Sequence, residues 1–99
     1  MQFFHFFERL KMTGYDLRLW RIGLGWSRDR AAEELGVCLR AYKDYENAPR
    51  VKRAVELATI TLSVHDLLPV FLSRKTGKQQ VVDMLQTMMA DALPRKTPL

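Results

Sequence analysis

Ninety-nine residues suffice for one compact core and are too few for two, and 47% hydrophobic with 27% charged residues excludes an extensively disordered chain. Sixteen Lys and Arg against eleven Asp and Glu leave a net charge of +5 and a pI near 9.7, a balance that favours an anionic partner, nucleic acid or an acidic membrane surface. Cys38 is the only cysteine, which excludes an intramolecular disulfide and fits a reducing cytoplasm. With His5 and His65 it cannot furnish a four-ligand zinc site without carboxylates or a second chain, so neither metal nor cofactor is expected.

Residues 1–12 form an N-terminal extension in which Phe3, Phe4, Phe6 and Phe7 fall within five positions. The basic leader and cleavage site of a secretory signal are missing, and the longest apolar run is too short to span a membrane. Two readings stand side by side: a short helix docking on the domain, or translation upstream of a natural start at Met12.

A first helix is expected over residues 15–24, where Leu17, Trp20 and Leu24 recur at helical spacing and Gly23 and Gly25 close the segment. Ser27 can cap a second, with Asp29 in its first turn, Ala31, Ala32 and Leu35 inward and Gly36 as its stop. A third is expected over residues 39–47, with Tyr42 and Tyr45 inward, broken by Asn47-Ala48-Pro49. The fourth, over residues 51–62, places Ala54, Leu57, Ala58 and Thr61 on one stripe. Val64-His65-Asp66 reads as a turn before a short apolar helix through Leu67, Leu68 and Phe71. Residues 13–72 thus form one domain, and 73–78, polar and basic with Gly77, form a linker. A last helix is expected over residues 79–93, followed by a frayed tail at 94–99.

Residues 27–46 place a capped short helix, a glycine-bearing turn and a second short helix in succession, the parts of a helix-turn-helix. Steeply crossing helices need a small residue at their contact, which Ala32 supplies. The tight turn favours Gly36, and Val37 fills the space between the helices.

Over about residues 15–71 the sequence resembles the Cro and lambda-repressor type helix-turn-helix regulators, the XRE family. Leu17, Arg21, Gly25-Trp26-Ser27, Ala32, Leu35-Gly36-Val37 and Tyr45-Glu46 carry the resemblance, without insertions. It implies an all-α chain: a five-helix lambda-repressor-like domain binding operator DNA as a dimer, here with one extra C-terminal helix. It also implies base reading by Leu39, Arg40, Lys43 and Asp44, a phosphate contact at Arg28, and a structural ion pair between Arg21 and Glu46. Two departures stand out: Cys38 replaces the usual Ser or Thr cap, and Tyr42 the usual Val or Ile.

The chemistry of these residues is compatible with those roles. Arg40 can donate two hydrogen bonds to guanine O6 and N7. Lys43 lies one turn onward, Asp44 can accept from a cytosine amine or orient Arg40, and Leu39 can pack on a thymine methyl. Arg28, Arg30, Lys52 and Arg53 suit phosphates, which set register without reading sequence.

The last helix carries Val81, Leu85, Met88, Met89 and Ala92 with further apolar neighbours, a stripe too broad to leave in water. It either packs back on its own domain or pairs with the same helix of a second chain; homodimerisation is the expectation, since a two-fold dimer reaches half-sites about 34 Å apart. No paired carboxylates, nucleophile–base arrangement or phosphate-cradling glycine loop points to an enzyme. The expectation is therefore a cytoplasmic phage or bacterial repressor of double-stranded DNA, with no membrane role and with autoregulation open to it. The alternative is an antitoxin or adaptor holding a protein partner through its terminal segments.

Overall fold

Thr13 starts the first helix, α1 (Gly14–Gly23), with a reciprocal cap: its hydroxyl accepts from the Asp16 N–H at 3.0 Å, and the Asp16 carboxylate accepts from its N–H at 3.0 Å. Gly25, at φ 75°, reverses the chain after α1 in the left-handed region that glycine enters without a Cβ penalty. Ser27 caps α2 (Arg28–Leu35), its Oγ accepting from the Arg30 N–H at 3.0 Å, and Gly36, also at φ 75°, ends it. α3 (Leu39–Asn47) follows after Val37 and Cys38. Then come α4 (Arg53–Asp66), α5 (Leu68–Phe71) and α6 (Lys78–Ala90). The computed structural model describes residues 12–90 and Leu93, and over these the chain is all-α, with six helices and no strand. The aromatic segment 1–11, Ala92 and the tail 94–99 lie outside the described residues.

The core is small and is made by α1 to α4. Leu17, Ala31, Ala32, Tyr42 and Val55 are buried, and Met12, Trp20, Trp26, Leu35, Val37, Tyr45 and Val51 pack around them. Ala31 and Ala32 keep the α2 surface low enough for the α3 ring of Tyr42 to be wholly enclosed. Met12, assigned to the extension by sequence, packs on this core, and its carbonyl accepts from the Val51 N–H at 2.9 Å. Trp20 joins α1 to α4 by donating Nε1–H to Ser63 Oγ at 2.8 Å. Its ring meets Trp26 edge to face at 5.5 Å between centroids.

The fourth helix departs from the sequence reading in start, end and phase. Val51 and Lys52 precede it, and Val64-His65-Asp66 continue it instead of forming a turn. Its buried residues are Val55, Glu56 and Thr59, while Ala54 and Thr61 are exposed. The expected stripe followed hydrophobicity, but the docked face includes two polar residues that the fold satisfies, Thr59 donating to the Glu56 carbonyl at 2.6 Å. The last helix begins at Lys78, inside the expected linker, and no residue of it is buried. Among the described residues no helix is long and apolar enough to cross a membrane.

Cys38 occupies the N-cap position of α3 with extended backbone, and its side chain makes no capping hydrogen bond. An oxygen there would serve an N–H of the first turn. Cys38→Ser is therefore expected to raise stability by about 1 kcal/mol, seen as a higher urea midpoint at unchanged slope.

Candidate nucleic-acid interface

One side of α3 is fixed in the core by Tyr42, with Tyr45 half-buried beside it. Helical geometry then turns the opposite side outward, where Arg40, Lys43 and Asp44 are exposed, with Leu39 half-buried at the first position. Arg40 and Lys43 form no ion pair among the described residues, so both cations are available at the surface. Lys52 and Arg53, where α4 begins, are exposed as well.

Arg28 and Arg30, also expected at phosphates, are engaged within the chain. Arg28 Nε donates to Glu46 Oε1 at 3.1 Å. Arg30 Nε donates to Glu34 Oε2 at 2.9 Å, and its guanidinium lies 4.8 Å from the Trp26 ring centroid. Both side chains stay about half exposed, at 44% and 51%, so each guanidinium keeps donors facing water.

Beneath this surface lies a buried polar knot centred on Glu46. Its Oε2 accepts from Arg21 Nε at 2.7 Å and from the Tyr42 hydroxyl at 2.5 Å, while Arg28 takes Oε1. Arg21 donates further, through Nη1, to the Trp26 carbonyl at 2.9 Å. One carboxylate thus ties α1, α2 and α3 together and fixes how α3 rolls against the other two. Burial pushes the Glu46 carboxyl upward, but the hydrogen bonds from Arg21 and Tyr42 outweigh it and hold the group below its usual range. Burial, reinforced by the neighbouring carboxylate, drives the Tyr42 hydroxyl well above its ordinary value. The hydrogen bond to Glu46 raises Arg21.

Of the expected dimerisation residues, Val81, Leu85 and Met88 are half-buried and Met89 is exposed. Sequence reading placed Tyr42 inward as a packing residue and missed it as a polar participant. The i, i+4 spacing to Glu46 was the available signal. It also missed Arg18 of α1, which lines one notch with Arg28 of α2 and Lys43, Glu46 and Asn47 of α3.

Comparison of the chain with protein-family models, with curated proteins and with solved structures returns no match.

Proposed function

We propose that this chain is a sequence-specific double-stranded-DNA-binding transcriptional regulator of the Cro and lambda-repressor type, a phage or bacterial repressor acting as a dimer on an inverted-repeat operator. The observation that carries the reading is the two-sidedness of α3: Tyr42 anchors one side while Arg40, Lys43 and Asp44 stand exposed on the other. α2 and α3, joined by the left-handed Gly36, supply the helix-turn-helix, and α3 is the helix that enters the major groove. Arg40 reads a guanine, Asp44 contacts a neighbouring base, Lys43 reaches a base or a backbone phosphate, and Lys52, Arg53 and the water-facing donors of Arg28 and Arg30 hold phosphates. Repression follows from steric occlusion of a promoter in the cytoplasm.

Dimerisation completes this reading. The apolar stripe of α6, with Val81, Leu85 and Met88 only half covered and Met89 42% exposed, pairs with the same stripe of a second chain. A second reading, an antitoxin or adaptor gripping a protein partner, is favoured by Leu72, 80% exposed, next to Leu68 and Val70.

The test is a salt-dependent footprint on the DNA upstream of the chain's own gene, with Arg40→Ala as control. The expected result is a protected inverted repeat that weakens steeply with salt. Arg40→Ala should lose about 1–3 kcal/mol of binding and relax specificity at one base pair per half-site. Equally weak binding to every duplex would sink the operator reading and favour the protein-partner one.

A further inference from the structure

Arg18 of α1, Arg28 of α2, and Lys43, Glu46 and Asn47 of α3 line a notch of about 230 Å³. Three cations from three helices meet there around one carboxylate. That carboxylate is already engaged: Oε2 accepts from Arg21 and Tyr42, and Oε1 from Arg28. Arg18 and Lys43 therefore reach the notch with no acidic partner among the described residues. Arg21 behind Glu46 adds a further positive charge, so the surroundings hold more cations than the single acid neutralises. Arg28 stands at the first position of α2, in the turn that carries the positive end of that helix's dipole. Asp29, the acid of that turn, does not line the notch.

This donor set has a definite chemical preference. Planar guanidinium forks such as those of Arg18 and Arg28 match pairs of oxyanion oxygens, and Lys43 adds a compact point charge. The Asn47 amide can donate one neutral hydrogen bond. The volume accommodates a tetrahedral oxyanion together with part of whatever carries it. We propose that the notch is a phosphoryl-binding site held by Arg18, Arg28, Lys43 and Asn47, with Glu46 as the strut that aims Arg28. Its phosphoryl group comes from the DNA backbone or from a free phosphorylated solute. The first source rests on the DNA-binding reading above; the second does not.

Both sources are separable on the full-length chain. In the first arm, amide and guanidinium NMR signals are followed while sodium pyrophosphate is added against sodium chloride at matched ionic strength. A free-phosphoryl site gives saturable shifts at Arg18, Arg28 and Asn47, weakened at least tenfold in Arg18→Gln and in Lys43→Gln. Both side chains are exposed, so neither variant compromises folding. In the second arm, duplex binding is measured by anisotropy over a range of salt. A backbone-phosphate site makes Arg18→Gln weaken all duplexes by a similar factor, about five- to tenfold, and lowers the salt slope by about one. Response in either arm supports the site and identifies its source. Response in neither overturns it. A failed footprint with saturable pyrophosphate binding would remove the operator reading and leave the notch. A sound footprint with both arms silent would do the reverse.

Discussion

Glu46→Ala is expected to destabilise the protein by about 3–5 kcal/mol at neutral pH, the cost of stripping a buried cation of its counter-ion. The Arg21 and Glu46 side chains are 10% and 5% exposed, so water cannot take over when one is removed. Tyr42, wholly buried, loses its acceptor in the same step. Because small domains are stable by only about 5–15 kcal/mol, the gentler Glu46→Gln is the better variant for quantitative work. It keeps the shape and one acceptor oxygen but loses the charge. Replacing both partners, Arg21→Met with Glu46→Leu, should destabilise less than Glu46→Ala alone, because the only cation then left without Glu46 is Arg28, which is half exposed to water. If the double variant were the worse of the two, the pair would be a net source of stability rather than a device of geometry.

The same pair sets the acid response. Glu46 is held below its usual range in the folded protein, whereas in the unfolded chain it titrates near the ordinary glutamate value of about 4.3. A lowered folded value means that its contribution is complete above the unfolded one and disappears as pH falls through the folded one. Urea denaturation should therefore separate wild type from Glu46→Gln fully above about pH 5. The gap should narrow steadily on further acidification, as wild type loses its charge too. A gap independent of pH would show that the carboxylate acts by shape alone.

Gly14→Ala should cost about 3 kcal/mol or more, at the upper end of overpacking penalties. Gly14 donates its N–H to the Ala48 carbonyl at 3.0 Å, bringing the start of α1 against the end of α3. A Cβ at this position would lie 2.6 Å from the Ala48 oxygen and closer still to the Glu46 oxygen. Both are backbone atoms, so relief requires the two helices to part, and the knot around Glu46 would open with them. Gly23, the last residue of the same helix, has nothing within 4 Å of its would-be Cβ. Gly23→Ala should therefore stabilise by about 0.4–1 kcal/mol through the entropy of the unfolded chain. Thermal melts of the two variants check both signs at once. Similar small effects at both positions would mean that the α1–α3 junction is looser than its geometry implies.

What the sequence disclosed was whatever is local. Ser27, Gly36 and the break at Pro49 act on their own neighbours, so the bounds of α2 and α3 were readable from residue types alone. The α4 face was not, because Glu56 and Thr59 are buried by virtue of partners rather than polarity. Gly14 carries no local signal of its role, since its constraint comes from residues more than thirty positions away. The same holds for Trp20 and Ser63, forty-three positions apart. At the interface, exposure of Arg40 and Lys43 follows from helical phase once Tyr42 is known to be inside. The convergence of Arg18, Arg28 and Lys43 depends on how three helices cross, which no spacing along the chain encodes.

The edge-to-face tryptophan pair has a use in the light it absorbs and emits. The rings stand 5.5 Å apart at 81°, close enough for their excited states to mix, and one is hydrogen-bonded to α4 while the other lies under Arg30. Both tryptophans occur before residue 27, and no other is present. Emission from this protein thus reports on the docking of α1 against α4, whereas α6 carries no tryptophan of its own. Far-ultraviolet circular dichroism sees all helices alike, so the two optical signals divide the molecule along the boundary between its core and the helix that no buried residue anchors.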